Sequence, residues 1–211
     1  MDVDRITQMR DEVERRFART CDGQDLWPDP HTNVSPSDEE YSRATHPERW
    51  RIVGQRADAW LEVLSTFGLA SIERDATIDW GEAPSTVVTR CDRAVPRAIG
   101  AVPLVVCRSR IDGVDDAGVT IGVGDPAVVD TWIPICGCDA CDNGSQEVLE
   151  TLDEHLMAIV TGQFRHLRRR STTITSLPGS LHLVGIECEQ AARALANPSG
   201  WNEVSGTGWL H

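Results

Sequence analysis

The order in which helical and β-type hydrophobic patterns follow one another constrains the fold of this chain more than any other feature. Apolar residues recur at helical spacing over residues 2–20, 45–68 and 144–164. A short Ala-rich stretch, residues 188–196, is also predicted to be helical. Between the second and third segments, residues 69–135 contain short runs rich in Val, Ile and Thr, separated by Gly, Pro and Asp. Strands grouped in this way, without regular alternation with helices, indicate an α+β fold. We therefore expect a mostly antiparallel sheet with helices packed on one face.

Capping and turn residues predict where several of these helices and hairpins begin and end. Thr45 is predicted to cap the second helix, because Glu48 follows three residues later, and Gly68 is predicted to end it. A hairpin turn is expected over Asp112 to Gly118, and a later hairpin is expected to turn at Pro178–Gly179.

The segment after the first predicted helix has the composition of a linker. Residues 21–40 are rich in Pro, Asp and Ser, and Trp27 is the one strong apolar anchor among them. We therefore divide the chain into an N-terminal helix and Pro/Asp-rich linker, residues 1–40, and a single α+β domain, residues 41–211. Trp27 is predicted to fix the linker onto the core.

Charge and hydropathy limit the compartments and partners to be expected. No apolar run reaches the roughly 20 residues that cross a bilayer, and the charged N-terminus has no apolar signal region. We therefore expect a cytoplasmic protein with no membrane role. The net charge of −13 disfavours nucleic acid as a partner. In the cytoplasm, seven cysteines argue against disulfides and for thiol, metal or redox chemistry.

Three of the seven cysteines lie within the segment CGCDACD, residues 136–142. Residues 132–138 are predicted to form a strand, on which Cys136 and Cys138 would point to the same face. Cys138 and Cys141 form a CxxC, a spacing that lets two sulfurs reach one ion or each other. The helix predicted to follow would direct its N-terminal dipole towards these thiols.

A zinc site is the first interpretation of this cluster. Cys136, Cys138 and Cys141 would supply three ligands, and Zn²⁺ takes four. The candidates for the fourth ligand are these residues: Cys188, His155 and His182.

Two other interpretations remain open. Cys138 and Cys141 could act as the redox pair of a thiol-disulfide oxidoreductase. Alternatively, the cysteines are reduced and structural, and the protein binds a protein partner or a second copy of itself. An apolar surface formed by Trp27, Trp201 and Trp209 would serve that role. The sequence carries none of the GxSxG, Walker A, HExxH or GxGxxG motifs, and so gives no strong case for an enzyme.

Three segments together resemble a known family. They are YSRATHPERW at residues 41–50, the strand pair that includes Pro103–Val105, and CGCDACD followed by a helix that ends near Gly162–Arg165. Their order is similar to that in DUF6226, an uncharacterised family common in high-GC Gram-positive bacteria. The resemblance covers roughly residues 40–170. Because the family brings no established activity, the resemblance implies no function.

Overall fold

A computed structural model describes residues 3–21 and 26–210 of the chain. Residues 22–25, which belong to the predicted linker, lie outside the described residues. The described helices confirm the three helical segments predicted from the periodicity and the short fourth one predicted over residues 188–196. Their bounds are α1 (Val3–Thr20), α2 (Arg51–Thr66), α3 (Gly144–Val160) and α4 (Cys188–Ala196).

The strands form two antiparallel sheets, which confirms the α+β class. The first sheet has five strands that follow one another in chain order: β1 (Ala70–Glu73), β2 (Val88–Pro96), β3 (Leu104–Ile111), β4 (Val114–Gly124) and β5 (Ala127–Ile133). The second sheet has the order β8-β7-β6-β9 and contains β6 (Arg165–Arg169), β7 (Thr172–Leu177), β8 (Ser180–Val184) and β9 (Asn202–Ser205). Among the described residues, no helix is both long and apolar enough to cross a bilayer.

Helix α2 occupies the centre of the main core. It contacts α1, α3 and the first sheet, chiefly β4, and buried residues therefore occur on nearly all of its faces. Helix α1 is amphipathic instead and buries only the stripe of Met9, Val13 and Phe17. This stripe belongs to the same hydrophobic cluster as α2, so α1 packs directly on the core. The division of the chain at residue 40 stays a prediction.

The start of the second helix differs from the prediction. A short 3₁₀ turn, Pro47–Trp50, precedes α2, and His46 rather than Thr45 occupies its N-cap position. The backbone N–H and the hydroxyl of Thr45 donate instead to the carboxylate of Asp139, far along the chain. A tertiary contact has therefore replaced the predicted local cap.

Two predicted β boundaries are also corrected. The hairpin between β3 and β4 turns at Asp112 and Gly113 only, whose φ angles are 46° and 80°. Two residues with positive φ form a tight turn that matches the twist of the strands, so the expected turn as far as Gly118 is wrong. The predicted strand over residues 132–138 is wrong beyond Ile133, where β5 ends. Pro134 follows and has no N–H to donate to a neighbouring strand.

The structure also corrects the expectation that the cysteines avoid disulfides. Cys91 on β2 and Cys107 on β3 are directly paired in register and form a disulfide. Periodicity places both residues on strands, but the register that brings them face to face depends on the turns between strands. Of the remaining cysteines, all five described are free.

A buried ion pair joins α2 to α3 within the core. The guanidinium of Arg56 donates to both carboxylate oxygens of Asp153, at 3.0 and 2.6 Å. The indole N–H of Trp60 donates to the same carboxylate at 2.6 Å. Arg56 also lies over the ring of Phe17 and pairs with Glu14, so the cluster connects α1 to the other two helices.

We expect Asp153→Ala to reduce the free energy of unfolding by about 3 kcal/mol, because it leaves the buried guanidinium of Arg56 without its bidentate partner. Urea denaturation followed by circular dichroism measures the change. Glu154→Ala, at the exposed next position of the same helix, is the control and should change stability by less than about 0.5 kcal/mol. Equal effects of the two substitutions would contradict this role of Asp153.

Candidate metal centre

The three cysteines of CGCDACD converge on one point. The Sγ atoms of Cys136, Cys138 and Cys141 all lie within 4.8 Å of one another, and those of Cys136 and Cys138 are 3.1 Å apart. Cys136 and Cys141 are exposed, whereas Cys138 is partly buried. The predicted grouping of the sulfurs is therefore present in the structure.

A turn produces this convergence, and not the strand that the sequence predicts. After β5 ends at Ile133, the chain continues into a single 3₁₀ turn, Asp139–Cys141, with Cys138 at its N-cap position. The backbone N–H of Cys141 donates to the carbonyl of Cys138 at 3.2 Å, which folds the CxxC segment back on itself. Helix α3 then begins at Gly144.

Asp142 anchors this turn to the body of the protein. Its side chain is 1% exposed and accepts hydrogen bonds from the indole N–H of Trp27, at 2.9 and 3.0 Å to its two oxygens. It also accepts from the backbone N–H of Gly144 at 2.9 Å and from the guanidinium of Arg49 at 2.9 Å. One buried carboxylate thus joins the linker segment, the turn before α2 and the start of α3.

Two tryptophans enclose the cation that pairs with Asp142. The guanidinium carbon of Arg49 lies 5.3 Å from the ring centroid of Trp27 and 4.9 Å from that of Trp50. The two rings meet edge to face, with their centroids 5.3 Å apart. Cation–π attraction and the ion pair hold the same side chain. Trp27 therefore anchors the linker, and its ring packs beside the cysteine turn.

Asp139 holds the other side of the cysteine turn. Its carboxylate accepts from the backbone N–H of Thr45 at 2.8 Å, from the Thr45 hydroxyl and from the guanidinium of Arg43 at 2.8 Å. Burial opposes its ionisation, but these hydrogen bonds outweigh burial and hold the pKa of Asp139 well below its usual range. Asp139 is therefore a charged anchor to residues 43–45.

Gly144 permits the close approach of the linker to the first turn of α3. Its φ is +87°, and a Cβ at this position would lie 2.6 Å from the backbone nitrogen of Asp29. The neighbouring Ser145 exchanges hydrogen bonds with the backbone of Trp27, including one from its own N–H at 3.0 Å. A side chain at residue 144 would push this segment away from the cysteine turn.

The environment of the three thiols makes them unequal acids. Burial opposes ionisation of Cys138, but hydrogen bonds from the Cys136 and Cys141 thiols and from the backbone N–H groups of Cys141 and Ala140 outweigh it and lower its pKa. Hydrogen bonding to Cys138, together with desolvation and the nearby Cys136, raises the pKa of Cys141 to about 12. In the metal-free protein, a thiolate is therefore favoured on Cys138 over Cys141.

A cleft of about 260 Å³ opens beside the cluster. Cys136 and Cys141 contribute to its wall, and Cys138 does not. The rest of the wall is mostly apolar and contains one carboxylate, that of Glu147. The other residues of the wall are Trp50, Ile133, Pro134, Ile135, Asn143, Gly144, Val148 and Thr151. Two of the three sulfurs are thus reached from this cleft.

The structure does not bring the three candidate fourth ligands to the cluster. His155 lies 11 positions after the start of α3, about 16 Å along its axis, and its Nδ1 is 2.6 Å from Asp130. His182 is on β8 in the second sheet, and Cys188 begins α4. Among the residues that the structure describes, the only compact group of three or more donors is Cys136, Cys138 and Cys141.

The surface proposed for a protein partner is only partly available. Trp209 is 1% exposed and belongs to the main core, so it cannot contribute to a binding surface. Trp27 is partly buried against Arg49, and Trp201 packs under the guanidinium of Arg169. The expectation that Trp209 contributes to a binding surface is therefore wrong, because this indole lies inside the protein.

Fold and site together define an α+β protein with two antiparallel sheets and a three-cysteine cluster between β5 and α3. The chain belongs to the family of unknown function DUF6226, whose match extends over residues 13–208 and so includes both sheets and the cluster. The resemblance noted in the sequence is thereby confirmed. No curated protein and no solved structure matches the chain.

We expect Asp142→Ala to cost about 3 kcal/mol of stability, because it removes the acceptor of Trp27 and leaves the guanidinium of Arg49 with only its longer ion pair to Asp139, at 3.9 Å. Thermal unfolding and the fluorescence of the tryptophans report the change. Asp142→Asn keeps the size of the side chain and should show a smaller loss. An Asp142→Ala protein as stable as the wild type would contradict the anchoring role of this carboxylate.

In the metal-free, reduced protein, we expect iodoacetamide to modify Cys138 before Cys141 between pH 7 and 8. A lowered pKa leaves more thiolate on Cys138 at a given pH, whereas Cys141, with a pKa of about 12, stays protonated there. Peptide mass spectrometry after timed quenching measures the order. The preference should disappear in 8 M urea, and faster labelling of Cys141 in the folded protein would disprove it.

Proposed function

We propose that this protein binds a metal ion through the thiolates of Cys136, Cys138 and Cys141, and that the ion is zinc. The observation that carries the proposal is the approach of the three sulfurs to within 4.8 Å of one another on a single anchored turn. Three thiolates are a soft donor set, which favours zinc or copper(I) over magnesium or calcium. The role that follows is structural or regulatory.

The spacing of the sulfurs supports a tetrahedral ion. A Zn–S distance of about 2.3 Å corresponds to sulfurs about 3.8 Å apart in a tetrahedral site. The 3.1 Å between Cys136 and Cys138 and the 4.8 Å limit on the group bracket this value. Rotation of the exposed Cys136 and Cys141 side chains would adjust these distances, while the contacts of Asp142 and Asp139 hold the backbone of the turn.

The fourth coordination position distinguishes this site from a closed structural zinc site. Among the described residues, no fourth His, Cys, Asp or Glu atom joins the three sulfurs. A zinc ion with three protein ligands keeps a position for water or another small ligand. Because Cys136 and Cys141 line the cleft, that position would be reached from it. Exchange of the metal with small thiols of the cytoplasm, where we place the protein, would proceed through the same opening.

One observation favours a second candidate function, thiol-disulfide exchange. The Sγ atoms of Cys136 and Cys138 lie 3.1 Å apart, and the lowered pKa of Cys138 favours its thiolate. The sequence suggests Cys138 and Cys141 as the pair, whereas the 3.1 Å between the two sulfurs favours Cys138 with Cys136. Such a protein would gain a disulfide on mild oxidation and would hold zinc weakly.

We expect the reduced protein, purified without chelator or a nickel column, to bind one zinc ion per chain. Replacing any of the three cysteines by serine should weaken zinc binding by more than about 100-fold, since even residues that only orient a ligand change metal affinity by about 10- to 100-fold. Competition with a chromophoric chelator gives the affinity, and native mass spectrometry gives the stoichiometry.

Cys188→Ser is the matched control, because Cys188 is also free and exposed but lies on α4. It should bind zinc as the wild type does. Cobalt(II) in place of zinc should add a sulfur-to-metal charge-transfer band that the Cys138→Ser variant lacks. A protein that contains no metal and has a disulfide between Cys136 and Cys138 would contradict zinc binding and support thiol-disulfide exchange.

A further inference from the structure

A second cleft, of about 250 Å³, opens between the two sheets and is separate from the cysteine cluster. Strand β5 of the first sheet contributes Asp130 and Trp132 to its wall. The second sheet contributes His166 from β6 and Thr173 and Thr175 from β7. The remaining residues of the wall are Glu82, Ala83, Pro84, Ser85, Val128, Val129, Arg168 and His182.

Asp130 is the group in this cleft that most needs a partner. Its side chain is fully buried, and its Oδ2 accepts a hydrogen bond from Nδ1 of His155 at 2.6 Å. Its Oδ1 is also buried and has no hydrogen-bond partner among the described residues. Asp130 lines the cleft and His155 does not, so Oδ1 is the acceptor of this carboxylate that remains for an occupant of the cleft. Buried polar atoms are normally hydrogen bonded, and a buried carboxylate oxygen without a donor costs free energy. An oxygen of this kind therefore marks a place where a bound ligand can supply the missing donor.

The cationic side chains around the cleft do not supply that donor. Arg168 pairs with Glu82 at 2.9 Å, which neutralises both at the rim. Nδ1 of His166 is 2.9 Å from the hydroxyl of Thr175. Burial lowers the pKa of His166, although the nearby carboxylate of Asp130 partly offsets it, and the imidazole is neutral near pH 7. Among the residues that line the cleft, none forms an ion pair or hydrogen bond with the carboxylate of Asp130, whose partner is the imidazole of His155.

The rest of the wall suits the apolar part of a cation. Trp132 offers an aromatic ring, and Pro84 and Val128 offer aliphatic surface. An indole beside a carboxylate is a combination that attracts organic ammonium groups. The net charge of −13 raises the local concentration of small cations around the protein.

We propose that the cleft between the sheets is a binding site for a small primary amine in its ammonium form. One N–H of the ammonium donates to Oδ1 of Asp130, and the alkyl group packs on Trp132 and Val128. The cavity has room for a small molecule of this class and not for a polymer. No residue lines both this cleft and the cleft beside the cysteines, and amine binding here does not require a metal at the cysteines.

Titration of the full-length, metal-free protein with n-butylamine at pH 7.5 tests the proposal, followed by ¹H–¹³C and ¹H–¹⁵N NMR. We expect saturable shifts of the His166 ring, Thr173, Thr175 and the Trp132 indole. Butan-1-ol has the same chain without the charge and should bind at least about tenfold more weakly, since hydrogen bonds to charged groups are the stronger ones. Tetramethylammonium carries the charge without an N–H and should also bind more weakly than butylamine.

Two variants locate the site. Asp130→Asn keeps the size of the side chain and removes its charge, and it should weaken butylamine binding by about tenfold or more. Asp38→Asn, at an exposed acid elsewhere, makes the same change in net charge and should have no effect. Because Asp130→Asn also alters the contact with His155, Thr173→Phe provides a second test by filling the cleft. Thr172→Phe, whose side chain points to the opposite face of β7, is its control.

Each outcome decides the proposal. Saturable butylamine binding that Asp130→Asn and Thr173→Phe both weaken, while their controls do not, supports the amine site. Equal binding of butylamine and butan-1-ol would show an apolar pocket without charge recognition and overturn the proposal. Shifts with inorganic phosphate but not with butylamine would overturn it in favour of an anion site. A wild-type protein that shows no shifts with any of these probes would also overturn it.

Discussion

The buried carboxylate of Asp142 is the interaction on which the candidate metal centre depends. A carboxylate that loses its contact with water must be fully hydrogen bonded or paired, and Asp142 satisfies this need with an indole, a guanidinium and a backbone amide. These three donors come from segments that are far apart in the sequence. Leaving any of these donors unpaired is costly, so the three segments assemble together around Asp142. The cysteine turn is held in place with them, because Asp142 directly follows Cys141.

The position of this anchor explains how exposed thiols can be held in a defined arrangement. Cys141 directly precedes Asp142, and Cys138 directly precedes Asp139, so each end of the CxxC segment adjoins a carboxylate that is fixed by tertiary contacts. The side chains of Cys136 and Cys141 are exposed, so their rotation is restricted chiefly by hydrogen bonds within the cluster. A fixed backbone with mobile sulfurs gives a site that can adjust its S–S distances to an ion without refolding.

The sequence predicts the elements of this fold better than it predicts their assembly. Helices α1, α2 and α3 follow from apolar residues at helical spacing, and the grouping of Cys136 with Cys138 and Cys141 follows from their separation along the chain. The disulfide between Cys91 and Cys107 depends on the register of two strands, which no local pattern specifies. The role of Asp142 is equally hidden, because its partner Trp27 is 115 positions away and an aspartate before a helix also fits a simple cap.

Strand β5 connects the two sites through a single side chain. Trp132 lines the cleft between the sheets, and its indole N–H donates to the carbonyl of Ile135 at 3.2 Å. Ile135 directly precedes Cys136 and lines the other cleft. A ligand that packs on the ring of Trp132 would therefore contact the side chain that is hydrogen bonded to Ile135, the residue just before the cysteine turn. Coupling between the sites requires that Trp132 takes different positions in the free and occupied cleft, because a ligand shifts an equilibrium only by binding its states unequally. The hydrogen bond to Ile135 is the contact through which such a difference would reach the thiols.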